Sequence, residues 1–397
     1  MIADNFFDVA VIGGGPAGSV AAQNLSAKGF KVVLFEKELT PRYKTCGGGI
    51  VKRVLNYLPA DISHTFENKF SNIEINDHQA EFHYIVKRNF PVVFLTMRNN
   101  FDYALLNLAK SSGTKIIDNK PVYDIITDKD SVTIKTISGD YKALFVIGAD
   151  GAQGISARKS GLKIVKKNLP ALECEVYLSE AELTKYSNLR FDFGFIPGGY
   201  AWVFPKSDHL SVGLGVFALR NIKKNLNDYF EKYLTLLGIK ETKHIERHGY
   251  YIPVSLKKNI VAGNRILLTG DSAALADLVT AEGISSAILS GKLAATSIIE
   301  GFPDKETVEE LYIEKTDKEI YSQLIPEQIL NRAYYNYNSL RVFLINRYGE
   351  KFCELITDIF SGEKKYSELL YNPVNYLKLL KHFIGYSFKI PDAEPNV

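Results

Sequence analysis

Cysteine is scarce in this sequence. Only three, Cys46, Cys174 and Cys353, occur among 397 residues; their odd number and wide spacing argue against a disulfide framework and fit a reducing compartment, with the cytoplasm expected. Long apolar runs are missing too. None approaches the roughly 18 residues needed to cross a bilayer, so any membrane contact is expected to be peripheral. The opening, with Asp4 and Asp8, lacks the basic and apolar regions of a secretion signal. Charge of one sign is not in excess: Lys+Arg 48 against Asp+Glu 45 leaves +3, with no basic block, and nucleic acid is not an expected partner. The seven histidines stand apart from one another and from any cysteine pair, so no metal-ligand spacing exists. Neither a G-x-S-x-G elbow nor a G-x-x-x-x-G-K-[ST] loop occurs, and there is no internal repeat.

What is present is material for a large core, 46% hydrophobic with 23% charged, and its size suggests two interleaved subdomains. Phe7 to Ile12 reads as a strand, Ser19 to Lys28 as a helix stopped by Gly29, and Lys31 to Glu36 as a second strand. A helix over Phe101 to Ala109 precedes strands around Lys115 to Ile117, Pro121 to Ile126 and Val132 to Thr136. Tyr141 to Ile147 and Arg265 to Leu268 read as central parallel strands, each delivering a polar loop to one sheet edge. Alternating aromatic and β-branched residues from about 171 to 255 predict an inserted antiparallel sheet. Beyond about 305 the pattern is mainly helical.

The first strand runs straight into Gly13-Gly14-Gly15-Pro16-Ala17-Gly18, a G-x-G-x-x-G at the mouth of a helix. Its first glycine permits the turn, its second lets a pyrophosphate approach the backbone, and its third packs helix on strand. The helix N-terminus adds partial positive charge. Glu36 ends the second strand about twenty residues on, where a carboxylate accepts from ribose hydroxyls, with Lys37 beside it. The fingerprint alone does not separate NAD from FAD.

Two distant segments do. Gly148-Ala149-Asp150-Gly151 and Gly270-Asp271-Ser272-Ala273 resemble the second and third FAD-contacting motifs of the para-hydroxybenzoate hydroxylase superfamily. The resemblance implies that Asp271 approaches the ribityl chain and that the helix start at Gly283 and Ile284 faces the pyrophosphate and flavin. Arg98, in Met97-Arg98-Asn99-Asn100-Phe101-Asp102, stands where those enzymes place an FAD-contacting arginine, and Val122 completes the expected contact set. Pro41-Arg42-Tyr43-Lys44-Thr45-Cys46-Gly47-Gly48-Gly49 looks like the loop that geranylgeranyl reductases carry beside the flavin. Pro197-Gly198-Gly199-Tyr200-Ala201-Trp202-Val203-Phe204-Pro205-Lys206, followed by Val212-Gly213-Leu214-Gly215, is similar to that family's Y-x-W-x-F-P-K signature and return strand. Together the matches span residues 7 to 295.

The resemblance implies an α/β fold in four segments. Residues 1–170 and 256–304 form a doubly wound, Rossmann-like FAD domain, 171–255 an inserted antiparallel β substrate domain, and 305–397 a C-terminal helical region. The implied reaction is reduction of C=C bonds in geranylgeranyl or polyprenyl chains of isoprenoid lipids, with hydride from N5 of reduced FAD. An isolated alkene has no carbonyl to accept charge, so protonation must accompany hydride delivery. Cys46 or Tyr200 is the expected donor, with Trp202 as a cation-tolerant wall. Cys46 reads equally as a small buried hydrophobe, the three aromatics as sheet core, and the Arg42 and Lys44 charges as phosphate holders or solvated groups.

Rival readings are a flavin monooxygenase, a halogenase, whose W-x-W-x-I-P signature Tyr200 to Pro205 does not spell, and a lipid-binding protein that retains FAD. The electron source stays open between NAD(P)H and a small electron-carrier protein. Tyr376 to Lys389, apolar with lysines at its edges, is the candidate for peripheral membrane contact. Within Asp277 to Ile284, Leu278 and Ala281 replace a proline and a glycine of the family pattern, which predicts a loop of altered shape. Gly154 stands where a serine is common.

Overall fold

The computed structural model describes residues 5–219 and 225–371. Tyr376 to Lys389 lies outside the described residues.

An eight-stranded sheet forms the nucleotide half. β1 (Phe6–Ile12) lies between Gly139–Gly148 and β2 (Val32–Phe35), parallel to both, and Lys115–Ile117 and Ile266–Leu268 extend the parallel set outward. β2 and Ile266–Leu268 are buried throughout, the pattern of strands covered on both faces. The first half of Gly139–Gly148 also pairs antiparallel with Val132–Thr136, which pairs with Val122–Thr127. α1 (Pro16–Ser26) packs between helices Arg98–Ser111 and Ile284–Gly301.

The second sheet has seven strands. Five come from the stretch where an inserted sheet is expected: His244–Ser255, Lys166–Tyr177, Leu210–Val216, Gly199–Pro205 and Leu189–Phe193. Asn72–Asp77 and Phe82–Lys87 add two more, joining parallel to Leu189–Phe193. Alternating burial along Asn72–Asp77 is the period-two signature of a half-buried strand; one partner, Phe82–Lys87, is close in sequence, but the parallel one, Leu189–Phe193, lies more than a hundred residues away. Lys166–Tyr177 starts five residues before the expected boundary at 171. A small antiparallel sheet of Gly49–Val51, Val93–Thr96 and Phe66–Phe70 bridges the halves.

Helices Lys305–Glu319, Leu324–Asn331, Asn338–Ser361 and Tyr366–Tyr371 follow. Arg341, on the third, is almost fully buried, with Nε 3.2 Å from Asp77 Oδ2 on the second sheet. That ion pair pins the helical region to the strands that the sequence pattern did not place. Among the described residues no helix is long and apolar enough to cross a membrane.

Candidate active site

The carboxyl ends of four parallel strands are stitched together by backbone. Gly13 N–H donates to Phe35 C=O at 2.8 Å, Ala149 N–H to Ile12 C=O at 2.8 Å, and Thr269 N–H to Gly148 C=O at 2.9 Å. This edge opens into a cavity of about 680 Å³. Gly13 has φ +109°, and a Cβ there would lie 2.3 Å from the Ala149 carbonyl oxygen, so only glycine fits. Gly15, the N-cap of α1, supplies no side-chain cap; a Cβ on it would meet nothing nearer than Arg42 Nη2 at 3.8 Å. It faces open space at a helix N-terminus. Pro16 and Ala17 line the same cavity, whereas Gly18 packs against Gly13 and is the one residue of the expected set that does not line it.

Charges ring this mouth. Glu36 is buried, and its carboxylate accepts from Gly14 N–H at 3.0 Å, Glu38 N–H at 3.2 Å and Arg42 Nε at 3.2 Å. Arg42 Nη1 also reaches Asp102 at 3.1 Å, while Arg98 binds Asp102 bidentately at 2.7 and 2.9 Å. Burial opposes the Arg98 charge, but Asp102, with Cys46 alongside, holds the guanidinium above its ordinary range. Burial and the nearby Arg98 push the Lys44 ammonium down to about 8, with Asp271 pulling the other way; it sits 3.4 Å from the Tyr250 ring centroid. Burial pushes the Asp271 carboxyl up, against the pull of Lys44 and Arg98. Lys37 and Val122 lie on the same wall; the Lys37 side chain is 71% exposed and lies 3.5 Å from Glu38.

Asp150 ties two motif loops together. Oδ2 accepts from the N–H and hydroxyl of Ser156, both at 2.9 Å, and Oδ1 from Ser272 Oγ at 2.9 Å. A Cβ at Gly154 would sit 2.1 Å from Asp150 Cγ, so the bent carboxylate takes the space a serine would use. Ala149, Gly151, Gly270, Gly283 and Ile284 also reach the cavity wall. Ala281, which replaces a glycine of the family pattern, takes φ +57°, a glycine-like backbone. Asp277 Oδ1 holds the turn, accepting from Val279 N–H at 2.8 Å and Thr280 N–H at 2.9 Å.

Deeper in, the wall becomes apolar. Tyr200, Trp202 and Phe204 share one face of Gly199–Pro205 and all line the cavity. Trp202 lies over Gly213, where a Cβ would come within 2.0 Å of the indole. Gly47 abuts Trp202 and Phe204, so the Cys46–Gly49 loop and the aromatic strand do meet. Cys46 Sγ accepts from Gly48 N–H at 3.4 Å, the Tyr200 hydroxyl donates to the Thr280 carbonyl, and Trp202 Nε1 is buried without a hydrogen-bond partner among the described residues.

The structure adds lining residues that sequence reasoning missed. Ile73 and Ile75 come from the unplaced strand, and Phe352, Ile356 and Phe360 from the C-terminal helices; the spacing of these last three marks a single helical face. Tyr335 holds the loop over the cavity by donating to Val279 C=O at 2.6 Å. Tyr43 and Glu173 also line the wall; Glu173 and Glu175, two apart on a strand, were the available signal.

Residues 7–300 match the FAD binding domain family. A digeranylgeranylglycerophospholipid reductase of Thermoplasma volcanium is 30% identical over 309 residues, covering 73% of this chain and 77% of that protein. A geranylgeranyl diphosphate reductase of Synechocystis is 29% identical over 416 residues, covering 95% of this chain and 97% of that one. The solved structure of a geranylgeranyl bacteriochlorophyll reductase-like protein from Thermoplasma acidophilum, 24% identical, shares the fold with a TM-score of 0.72 over 86% of this chain and 92% of that one. With its sequence motifs meeting around one cavity, the chain belongs to the geranylgeranyl reductase family of FAD-dependent oxidoreductases.

Proposed function

We propose that this protein reduces isolated C=C bonds in the prenyl chain of an isoprenoid lipid. The observation that carries the reading is a single cavity whose mouth is glycine-rich and charged and whose depth is walled by aromatic and aliphatic side chains. Such a shape suits a dinucleotide at one end and a flexible hydrocarbon at the other.

The residues at the mouth fit FAD. Gly15 leaves open space that a side chain would fill, at a helix start that favours phosphate. The Lys44 ammonium has no carboxylate partner among the described residues, so a phosphate is free to take it. In this reading Gly13, Gly15, Pro16 and Ala17 hold the pyrophosphate, Glu36 the ribose hydroxyls, and Asp271 with Gly283 and Ile284 the ribityl side. Arg42, Lys44 and Arg98 balance the phosphate charge. When bound and reduced, FAD supplies the hydride. Electrons reach it from NAD(P)H or from a small electron-carrier protein.

The chain's own contribution is orientation and exclusion of water. Trp202, Phe204 and Phe191 wall the prenyl chain, and the loop Asp277–Gly283, pinned from both sheet and helices, closes one side. Trp202 also faces any positive charge that develops on the alkene. The lipid reaches the protein from a membrane surface.

Anaerobically reduced holoenzyme mixed with a geranylgeranyl lipid tests this. Reoxidation of the flavin and a product gaining hydrogen in pairs are expected. Oxygen- or halide-dependent products, or an unchanged lipid, overturn it.

A further inference from the structure

Saturating an alkene needs a proton as well as a hydride, and one face of the second sheet carries a file of ionisable groups that ends in the apolar chamber. Directly paired residues on neighbouring strands share a face. Glu173 pairs with Gly213, Gly213 with Trp202, Trp202 with Phe191, and Phe191 with Ile75. Glu173 therefore ends the row that contains Trp202. Gly213 has no side chain, so nothing stands between the carboxyl and the indole in that row. Period two then places Glu175 next along Lys166–Tyr177 on the same face, with Ser211 directly opposite it on Leu210–Val216 and His209 in the turn that precedes that strand.

Contacts join these groups into a path. Asp208, whose side chain is 72% exposed, lies 2.6 Å from His209 Nδ1. His209 Nε2 lies 2.8 Å from Glu175 Oε2; among the described residues neither atom has an aligned hydrogen bond, so the imidazole must tilt to pass a proton. The Tyr43 hydroxyl reaches Glu175 at 3.5 Å and donates to Glu173 at 3.0 Å. Ser211 Oγ donates to the other Glu173 oxygen at 2.9 Å. Glu173 is 2% exposed and Glu175 1%, a costly placement for two carboxyls.

We propose that Glu173 gives the alkene its proton and is recharged from solvent through Asp208, His209, Glu175 and Tyr43. The proposal rests on the prenyl-reductase reading above. In each cycle the π bond breaks and two C–H bonds form, one from the hydride of the reduced flavin cofactor and one from the Glu173 proton. Glu173 becomes a carboxylate, Tyr43 donates to it while accepting from Glu175, and the deficit passes outward to water. Glu173 would be catalytic; Tyr43, Glu175 and His209 act through it.

The electrostatics agree with that direction. Burial, then Glu175, pushes the Glu173 carboxyl up to about 8, against Ser211, Tyr43 and Lys206. Burial and both glutamates keep Tyr43 a phenol. Burial disfavours the His209 cation, but Glu175 and Asp208 hold it above its ordinary range. Other groups facing this cluster are Lys206, pushed down by burial although Glu175 and Glu67 oppose this, His248, whose ring lies 4.4 Å from Tyr43, Tyr177, whose ring lies 4.9 Å from His209 and whose phenol burial pushes up, and Cys46, on the Tyr43 side. The donor is thus loaded below about pH 8 and lost as pH rises through it.

Infrared titration of the FAD-loaded protein should show a carboxyl C=O band that disappears near pH 8 and is missing in Glu173→Gln. After a jump from alkaline to neutral pH, the band should return more slowly in His209→Asn, to the same final height. Glu173→Gln should keep its FAD and slow anaerobic reoxidation by lipid roughly a hundredfold, the scale of a lost general acid. A missing band in wild type, an unaltered return in His209→Asn, or a Glu173→Gln enzyme as fast as wild type each overturns the relay alone. A wild-type enzyme inert towards prenyl lipid overturns the reductase reading and this proposal with it.

Discussion

At its nucleotide end the cavity is shaped by backbone: Gly13 turns beneath Ala149, Gly15 leaves a gap, and carbonyls and amides of four strand ends lock the loops in place. At its deep end it is shaped by side chains from several distant segments, among them Ile75, Phe191, Trp202 and Phe352. A backbone-shaped site tolerates almost no added atoms. A side-chain-shaped chamber can lose or gain a methylene and re-pack, at a cost of the order of 1–3 kcal/mol. The first arrangement suits an invariant ligand and the second a flexible hydrocarbon.

The sharpest break is at Gly15. Gly15→Val should fold with an unchanged melting temperature, since its Cβ meets nothing within 3.8 Å, yet lose roughly a hundredfold or more in FAD affinity, about 3 kcal/mol, by isothermal titration of the apoprotein. Next is Arg341→Met, which leaves Asp77 buried without its partner and should cost about 3–5 kcal/mol in denaturant unfolding; Asp77→Asn in the same chain should restore part of it. A smaller effect is expected for Trp202→Leu, which should retain FAD but slow lipid-dependent reoxidation about tenfold, or ~1.4 kcal/mol, in anaerobic stopped flow. Smallest is Ala281→Gly. Relief of the left-handed φ should raise stability by less than about 1 kcal/mol, read as a small rise in melting temperature.

The same contrast explains what was legible in the sequence. The parallel strands and their loops could be read because each glycine, Glu36 and Asp150 sits in a short local pattern whose geometry is set within a few residues. The Cys46–Gly49 loop and the Tyr200–Phe204 strand could be read by resemblance, and the structure brings them into contact. Asn72–Asp77 could not be placed in the second sheet, since it joins that sheet through Leu189–Phe193, far along the chain. Phe352, Ile356 and Phe360 look like ordinary helix core until the fold turns them towards Trp202. Arg98 and Asp102 stood four apart in one quoted motif, but Arg42 joins them only when the loop and helix meet.

Trp202 is the only tryptophan in the chain; it lines the apolar part of the cavity and touches Gly47 of the Cys46–Gly49 loop. Its fluorescence is therefore a direct probe of the claim that cofactor and prenyl chain share one cavity. Titrating apoprotein with FAD should quench the emission at one equivalent, and adding a geranylgeranyl lipid to the oxidised holoenzyme should change it again, saturably, without releasing FAD. Emission that responds to neither ligand, while both bind, would contradict the account.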